Sequence, residues 1–530
     1  MKFAETPTPR DQINLIPTSL GDLIPQGHPI RLLDELLGQL DWSAFNEHYR
    51  YEKRGRPPIS PRILATVWIY AFFRGVKSSR QLEYQLKTNI EFMWLAHGHH
   101  IDHSTLAAFR KQNKSALKKI HGNLIQLAKD LGVIKIAELY VDGTRIAANA
   151  NRFRTMTAEK ATKSLDIVQK EIDDYLERTE CVDQVDELFD DGTSGEQLPE
   201  HLNTLKKRKE QLQQIAATCN EMDDVRKKQG IDPKKNPFQL PLTDQDSRIL
   251  PNKDGGYAPN YTPIVGVEGE LGLIVSATII NSVNEQDYLV ETVDEVEQTY
   301  GVTVNTVGAD AAYSTGPNIA ELEVQREKDF LSPHRNGDLS KENPAIRNDP
   351  TKPVAEADLD KLPTDPSRGT FSTEAFVYDE EKDVYHCPQG RELTRSYEET
   401  RTQSGGQQVV RTIYQSPSCA DCPLLSRCRK GSHHKSGRRI SRDEHEKIRA
   451  AHRQKMSTEE AKLRYAKRFS IGERPFGHIK RAFGVRRFQT IGKDPVSSEF
   501  SLIGLAHNLL RLTNYFGSVE SLRALIAAKA

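Results

Sequence analysis

Two β-rich runs that each end on an aspartate set the strongest constraint on this chain. Ile136 to Asp142 reads IAELYVD, and Val302 to Asp310 reads VTVNTVGAD. Between them lie Tyr261 to Val267 and Leu271 to Ile280, joined around Glu268-Gly269 as a hairpin would be, and then a helix-like run from Tyr288 to Tyr300. Asp329 to Ser332 offers one more short strand. A hairpin supplies antiparallel pairing and a helical crossover supplies parallel pairing, so this β-β-β-α-β order predicts a mixed sheet. The first run is separated from the hairpin by a long polar stretch, Thr157 to Gly230. There Leu205, Leu212, Ile215, Cys219 and Met222 fall near three-four spacing, which predicts an inserted helical hairpin or short coiled coil.

Helical patterning flanks this region. Pro29 to Leu40 places Ile30, Leu33, Leu36, Leu37 and Leu40 on one face, and Ser60-Pro61 reads as a helix start leading through Phe73. Gly75 then breaks the pattern, and Ser78-Ser79 can cap a helix carrying Leu82 and Leu86. Helix, turn and helix with Arg80 near the second N-terminus fits a DNA reader, and equally an ordinary helical bundle. Asp102 to Phe109 reads as another capped start. Pro333 to Gly369 is rich in Pro, Asp, Asn and Lys and reads as a linker, with a cysteine-bearing segment after it to about Lys430. Helices return from Arg442 and close with Leu502 to Leu512. The expected domains are a helical 1–130, a sheet-forming 131–335 holding the 157–230 insertion, a linker and Cys-rich insertion over 336–430, and basic helices over 431–530.

Composition narrows the function classes. The chain has 530 residues, 28% of them charged, and a mean hydropathy of −0.63. Its longest strongly apolar run, Ile63 to Phe73, is well short of the roughly 20 residues of a membrane span, and no secretory pattern opens the sequence. Six irregularly spaced cysteines point to a reducing cytoplasm rather than a disulfide scaffold. The 74 basic and 74 acidic side chains are segregated. Leu165 to Glu200 carries 13 acidic against 2 basic residues, whereas Arg427 to Arg487 carries 20 Lys/Arg against 6 Asp/Glu. The basic block suits phosphate contacts, or else a solvated surface.

Aspartates at strand ends are what metal-assisted phosphodiester cleavage needs, because rigid acceptor-only oxygens can clamp Mg²⁺. A lone one more often caps a turn. A third carboxylate, Glu473, stands in YAKRFSIGERPFGHIKRAFGVRRF among Arg468, Arg474, Lys480 and Arg481. With Asp142 and Asp310 on strands and Glu473 on a later helix, the expected fold is α+β, with a ribonuclease H-like mixed-sheet core. At these motifs the chain resembles the DDE transposases of bacterial insertion sequences. GRPPISPRILATVWIYAFFRGVKSSRQLE and DHSTLAAFRKQ resemble their N-terminal helices, and VDGTRIAANANR and GADAAYS their catalytic strands. GERPFGHIKRAFGVRRF with SLIGLAHNLLRL resembles their closing helices.

The resemblance implies that Asp142, Asp310 and Glu473 form a catalytic triad holding two Mg²⁺ ions roughly 3.5–4 Å apart, with Mn²⁺ an alternative. It implies cleavage at terminal inverted repeats and transfer to target DNA, by a homodimer on DNA in the bacterial cytoplasm, associated with the nucleoid. A related family signature, Tyr-x₂-Arg-x₃-Glu-x₆-Lys, fits Tyr465, Arg468, Glu473 and Lys480 except for one extra residue before Glu473. It implies DNA contacts for Tyr465, Arg468 and Lys480; Arg481 and Arg80 are further DNA-binding candidates.

Cys387, Cys419, Cys422 and Cys428 suit either a structural Zn²⁺ or unligated thiols. His386, His433 and His434 read as exposed, and Cys181 and Cys219 as helix-packing residues. Two other functions stay in view. One is a non-catalytic sequence-specific DNA-binding protein derived from a transposase. The other is a tyrosine recombinase built on His478, Arg481 and Tyr515, which leaves Asp142 and Asp310 unexplained. A phosphate-binding loop of the G-x-x-x-x-G-K-[ST] type is missing.

Overall fold

The computed structural model describes residues 19–46, 57–186, 200–228, 230–252, 255–282, 284–333, 343–365, 368–402, 408–416, 419, 421–430 and 437–529. His433 and His434 lie outside the described residues, as does the side chain of Cys181. Six helices come first: α1 (Pro29–Gly38), α2 (Pro61–Phe73), α3 (Ser79–Thr88), α4 (Ile90–Leu95), α5 (His103–Gln112) and α6 (Lys114–Asp130). Asp102 caps α5 by accepting from the Ser104 and Thr105 amides. Helix α2 is apolar nearly all round and correspondingly buried, with Trp68 at its centre donating to Leu106 O at 3.0 Å.

The sheet is mixed. Its spine runs through β1 (Glu138–Gly143), β2 (Tyr257–Glu268), β3 (Ile274–Ile280), β4 (Thr306–Ala309) and β5 (Asp329–Leu331). In space the order is β3-β2-β1-β4-β5. The β2–β3 hairpin and the β1–β2 pair are antiparallel, while β1, β4 and β5 are parallel. Helix α9 (Leu289–Tyr300) makes the crossover to β4 and ends on Gly301 in the left-handed region. Buried Glu268 closes the hairpin, accepting from the amides of Glu270, Leu271 and Leu273. Between β1 and β2 the chain leaves the sheet as two long helices, α7 (Ala158–Asp186) and α8 (Glu200–Lys228). They carry small cores of their own, one of which holds fully buried Cys219.

Residues 343–443 depart from the expected linker and loop. Ala345, Val354 and Leu362 join Phe371, Tyr385, Leu393 and Tyr414 in a second core. That core underlies a five-stranded antiparallel sheet of β6 (Val377–Asp379), β7 (Val384–His386), β8 (Glu392–Thr402), β9 (Gln408–Gln415) and β10 (Arg439–Asp443). Strand pairing also overturns the expected exposure of His386. It ends β7 and is fully buried.

Later helices include α10 (Glu446–Met456), α11 (Glu459–Ile471), α12 (Arg474–Gly477), α13 (Lys493–Phe516) and α14 (Val519–Lys529). They cover both ends of the main sheet, where strands would otherwise present unpaired backbone. On β5, Lys455 donates to Phe330 O at 2.6 Å, and His452 binds Ser332 O at 2.7 Å. On β3, Asn508 of α13 takes both backbone groups of Ile274, accepting from N and donating to O at 2.8 Å each. One continuous apolar core joins α1–α6, the main sheet and α13.

Two buried histidines anchor that junction: His121 binds Asn508 Nδ2 through Nε2 at 2.7 Å, and His507 binds Gly272 O at 3.0 Å. Burial pushes His121 down to about 4 and His507 to about 3, from an ordinary value of 6.5. The unfolded chain therefore takes up protons that the folded chain refuses, so stability falls as pH drops from about 6.5 towards 4. Each histidine contributes up to about 1.4 kcal/mol of loss per pH unit in that window. Thermal unfolding between pH 7 and pH 5 checks this, and a flat Tm would contradict it.

Candidate active site

The register of β1 and β4 builds the site. Val141 pairs with Ala309 on the parallel neighbour, so Asp142 and Asp310 follow side by side at the ends of adjacent strands. Asp142 is 7% exposed. The Asp310 carboxylate accepts from the Ala312 amide at 2.8 Å, and its backbone oxygen accepts from Ser332 Oγ at 2.7 Å. Glu473 is half-exposed and stands between α11 and α12.

Arg468 joins two of the three carboxylates. It lies near the end of α11, is 4% exposed, and donates through Nη2 to Asp142 Oδ1 at 3.1 Å and through Nη1 to Glu473 Oε1 at 3.0 Å. Burial works against its charge, but Asp142, then Tyr465, Asp310 and Glu473, outweigh burial and hold its pKa above the usual guanidinium value. Close approach of α11 to β1 makes this possible: a Cβ on Gly472 would meet Tyr140 Cβ at 3.0 Å. Tyr465 is half-buried beside Arg468, its phenol pushed up first by burial. Lys480 also reaches β1's end, donating to Thr144 Oγ1 at 2.6 Å.

Arg481 lines an open groove of about 530 Å³ with Phe469, Arg474, His478 and Arg511. Arg80 is exposed in the first turn of α3, outside these contacts. Tyr515 is exposed on α13, and His478 Nδ1 faces His507 Nδ1 at 3.3 Å.

Sequence reasoning missed two neighbours of the carboxylates. Tyr313 lies within the quoted GADAAYS motif, yet nothing marked it as fully buried with a hydroxyl that lacks a hydrogen-bond partner among the described residues. Burial, then Glu285, Asp142 and Asp310, push that phenol far up, so it stays protonated. Glu285 itself sits in an aperiodic turn, and the only trace in the sequence is a glycine, Gly143, directly after Asp142.

The four late cysteines gather around the second core. Cys387 and Cys428 are buried deeply enough to raise their thiols, Cys428 to about 12, with Cys419 and Cys422 among the neighbours that raise them further. Among the described residues, no three His, Cys, Asp or Glu side chains are grouped to hold a metal ion, here or at the carboxylates.

Two family models match the chain. A transposase domain covers residues 18–112, and a transposase DDE domain covers residues 386–513. Both matched domains are transposase domains, and together they support a DDE transposase of insertion-sequence type. The DDE match includes Glu473, Arg468, Lys480 and the four cysteines, while Asp142 and Asp310 precede it. Among solved structures, a piggyBac transposase synaptic complex with hairpin DNA is similar at 11% identity and a TM-score of 0.31, with 94% of this chain and 79% of that chain covered. No curated protein matches the chain. None of its described helices is long and apolar enough to cross a membrane.

Proposed function

We propose that this transposase binds the ends of an insertion sequence and catalyses metal-dependent strand cleavage and strand transfer through Asp142, Asp310 and Glu473. The observation that carries the reading is the pairing of Val141 with Ala309, which sets two aspartates together at neighbouring strand ends, with Arg468 tying Glu473 to the first. The β3-β2-β1-β4-β5 order, with β2 alone antiparallel to both its neighbours, supports a ribonuclease H-like core.

Hard carboxylate oxygens suit Mg²⁺ or Mn²⁺, and Asp142, Asp310 and Glu473 would hold it once drawn together around the ion. Bound there, the cation would activate water or a DNA 3′-hydroxyl and stabilise the leaving oxygen. The chain's own cations would hold the substrate. Lys480, beside Thr144, suits a backbone phosphate next to the scissile bond, and the groove of Arg474, Arg481 and Arg511 offers phosphate contacts with exposed Phe469 to stack a base. The acidic stretch from Leu165 to Glu200 in the helical insertion is a poor phosphate binder. Two DNA ends processed together would require a homodimer on DNA.

The test is divalent-metal-dependent cleavage of DNA bearing the element's terminal repeats, comparing wild type with Asp142→Asn, Asp310→Asn and Glu473→Gln. Cleavage that survives all three substitutions sinks the reading. Binding by wild type without cleavage, across metals, would favour a DNA-binding protein that has lost catalysis.

The thiols of Cys387, Cys419, Cys422 and Cys428 match the donor set of a structural zinc site, although they would have to draw together to form one. Zinc measured on protein purified without chelator should approach one per chain and fall away in Cys419→Ser/Cys422→Ser. A zinc-free, fully folded wild type would leave these residues as packing thiols.

A further inference from the structure

The line of chain that carries Asp142 continues past it along β2. Asp142 pairs with Val265, and Ile146 pairs with Tyr261 in the same register, with the Thr144 amide bonded to Pro263 O between them. Ala147 therefore lies five positions beyond Asp142, within about 17 Å at the rise of a strand. That span matches about five base steps of duplex DNA. On the side of this line away from β2, residues 486–488 pair with it: Ala147 N donates to Arg486 O at 3.2 Å, and Phe488 N donates to Ala147 O at 2.9 Å. Side chains fix the junction. Fully buried Glu499 of α13 accepts from the amides of Gln489 and Thr490 and from Thr490 Oγ1, and Asn149 Nδ2 donates to Gln489 O at 3.0 Å.

This frame bounds a groove of about 480 Å³ lined by Asn149, Asn151, Arg152, Arg154, Thr243 and Arg487, with no carboxylate in its lining among the described residues. Its three arginines are exposed, and none of their guanidinium groups has a hydrogen bond or ion pair to another described residue. Phe153 is the independent observation. It is 78% exposed, yet held in a turn closed by Asn151, whose Oδ1 accepts from Phe153 N at 2.9 Å and whose O accepts from Arg154 N at 3.1 Å. The Arg152 guanidinium lies over the ring at 4.5 Å from its centroid, and the exposure leaves the ring free to take a second partner. A scattered exposed apolar side chain needs no explanation. An exposed ring fixed among three uncommitted cations is what a single strand of nucleic acid stacks on.

We propose that this groove takes the DNA strand leading away from the cleavage site, with Phe153 stacking on an unpaired base and Arg152, Arg154 and Arg487 holding the flanking phosphates. The proposal rests on the triad reading above, which sets where the strand is cut. Phe153 is a positioning residue: it would fix how the strand lies without touching the reacting atoms.

The experiment measures DNA binding by the full chain in EDTA, where no cleavage occurs. The probes are a blunt terminal-repeat duplex and the same duplex with about five unpaired nucleotides at its cleaved end. Wild type should prefer the overhang, and Phe153→Ala should bind it about tenfold more weakly while binding the blunt duplex as before. Phe153→Trp should restore the preference. Scrambling the overhang sequence should leave it intact, because every base offers a π-face. Arg154→Ala and Arg487→Ala should each lower the salt dependence of binding by about one phosphate contact. A wild type without the preference, a preference kept by Phe153→Ala, one that scrambling abolishes, or unchanged salt dependence in both arginine variants overturns the proposal. None of these outcomes bears on the triad, which cleavage by Asp142→Asn, Asp310→Asn and Glu473→Gln decides separately.

Discussion

Asp142→Asn should abolish strand cleavage while leaving binding to terminal-repeat DNA intact. The substitution keeps the side chain's size within β1, so the Val141–Ala309 register and the surrounding core stay as they are. What disappears is a negative oxygen that a divalent cation would use. Changing a residue one layer further from a metal already costs about 10–100-fold, so loss of a direct ligand should exceed a hundredfold. Asp310→Asn should match it. Parallel measurements of cleavage and DNA retention on a labelled end fragment decide the matter: a variant that binds and still cuts at more than about a tenth of the wild-type rate contradicts the assignment.

Arg468→Met should produce the largest loss of stability among single substitutions at this site. It removes the buried cation that pairs with Asp142 while Asp142 stays 7% exposed. Breaking one side of a buried ion pair costs about 3–5 kcal/mol. The double variant Arg468→Met/Asp142→Asn should therefore recover most of the loss. Divalent metal gives a second handle. Guanidinium and cation compete for the same Asp142 and Glu473 oxygens, so Mg²⁺ should stabilise Arg468→Met more than wild type. At a hundredfold excess over its own dissociation constant Mg²⁺ would stabilise the variant by about 2.7 kcal/mol, and wild type by less. Urea unfolding with and without Mg²⁺ reads both effects, and equal stabilisation of the two proteins would contradict the competition.

These residues differ in how much of their role the sequence disclosed. Asp142 and Asp310 stood out because each ends a β-rich run, and the hairpin and crossover between them already implied a mixed sheet. The register that sets them side by side is a property of pairing and could not be read from either run. Arg468 was one of twenty cations in a basic block, legible as a phosphate ligand. Its burial depends on how closely Gly472 lets α11 approach Tyr140, a long-range packing fact. Glu285 carried no periodic signal at all. The stretch from Pro333 to Gly369 looked like a linker because Ala345, Val354 and Leu362 are too widely spaced to form a helical or strand period, and they become core only when β7–β9 supply the other half. His386 looked exposed for the same reason: two-sided burial of a short strand leaves no alternation to read.

The position of α13 bears on how such a protein is made. This helix, drawn from residues 493–516, packs against α2, α5 and α6 and bonds to the edge of β3, so it is shared by the earliest and the middle parts of the chain. During synthesis the N-terminal helices and the sheet emerge from the ribosome well before it does. Until α13 follows, their apolar faces have no common partner, and Glu473, only twenty residues ahead of it, has not been brought against β1 by a finished fold. A chain cut short by a frameshift or early stop before residue 493 therefore lacks the one helix that joins the N-terminal helices to the sheet among the described residues.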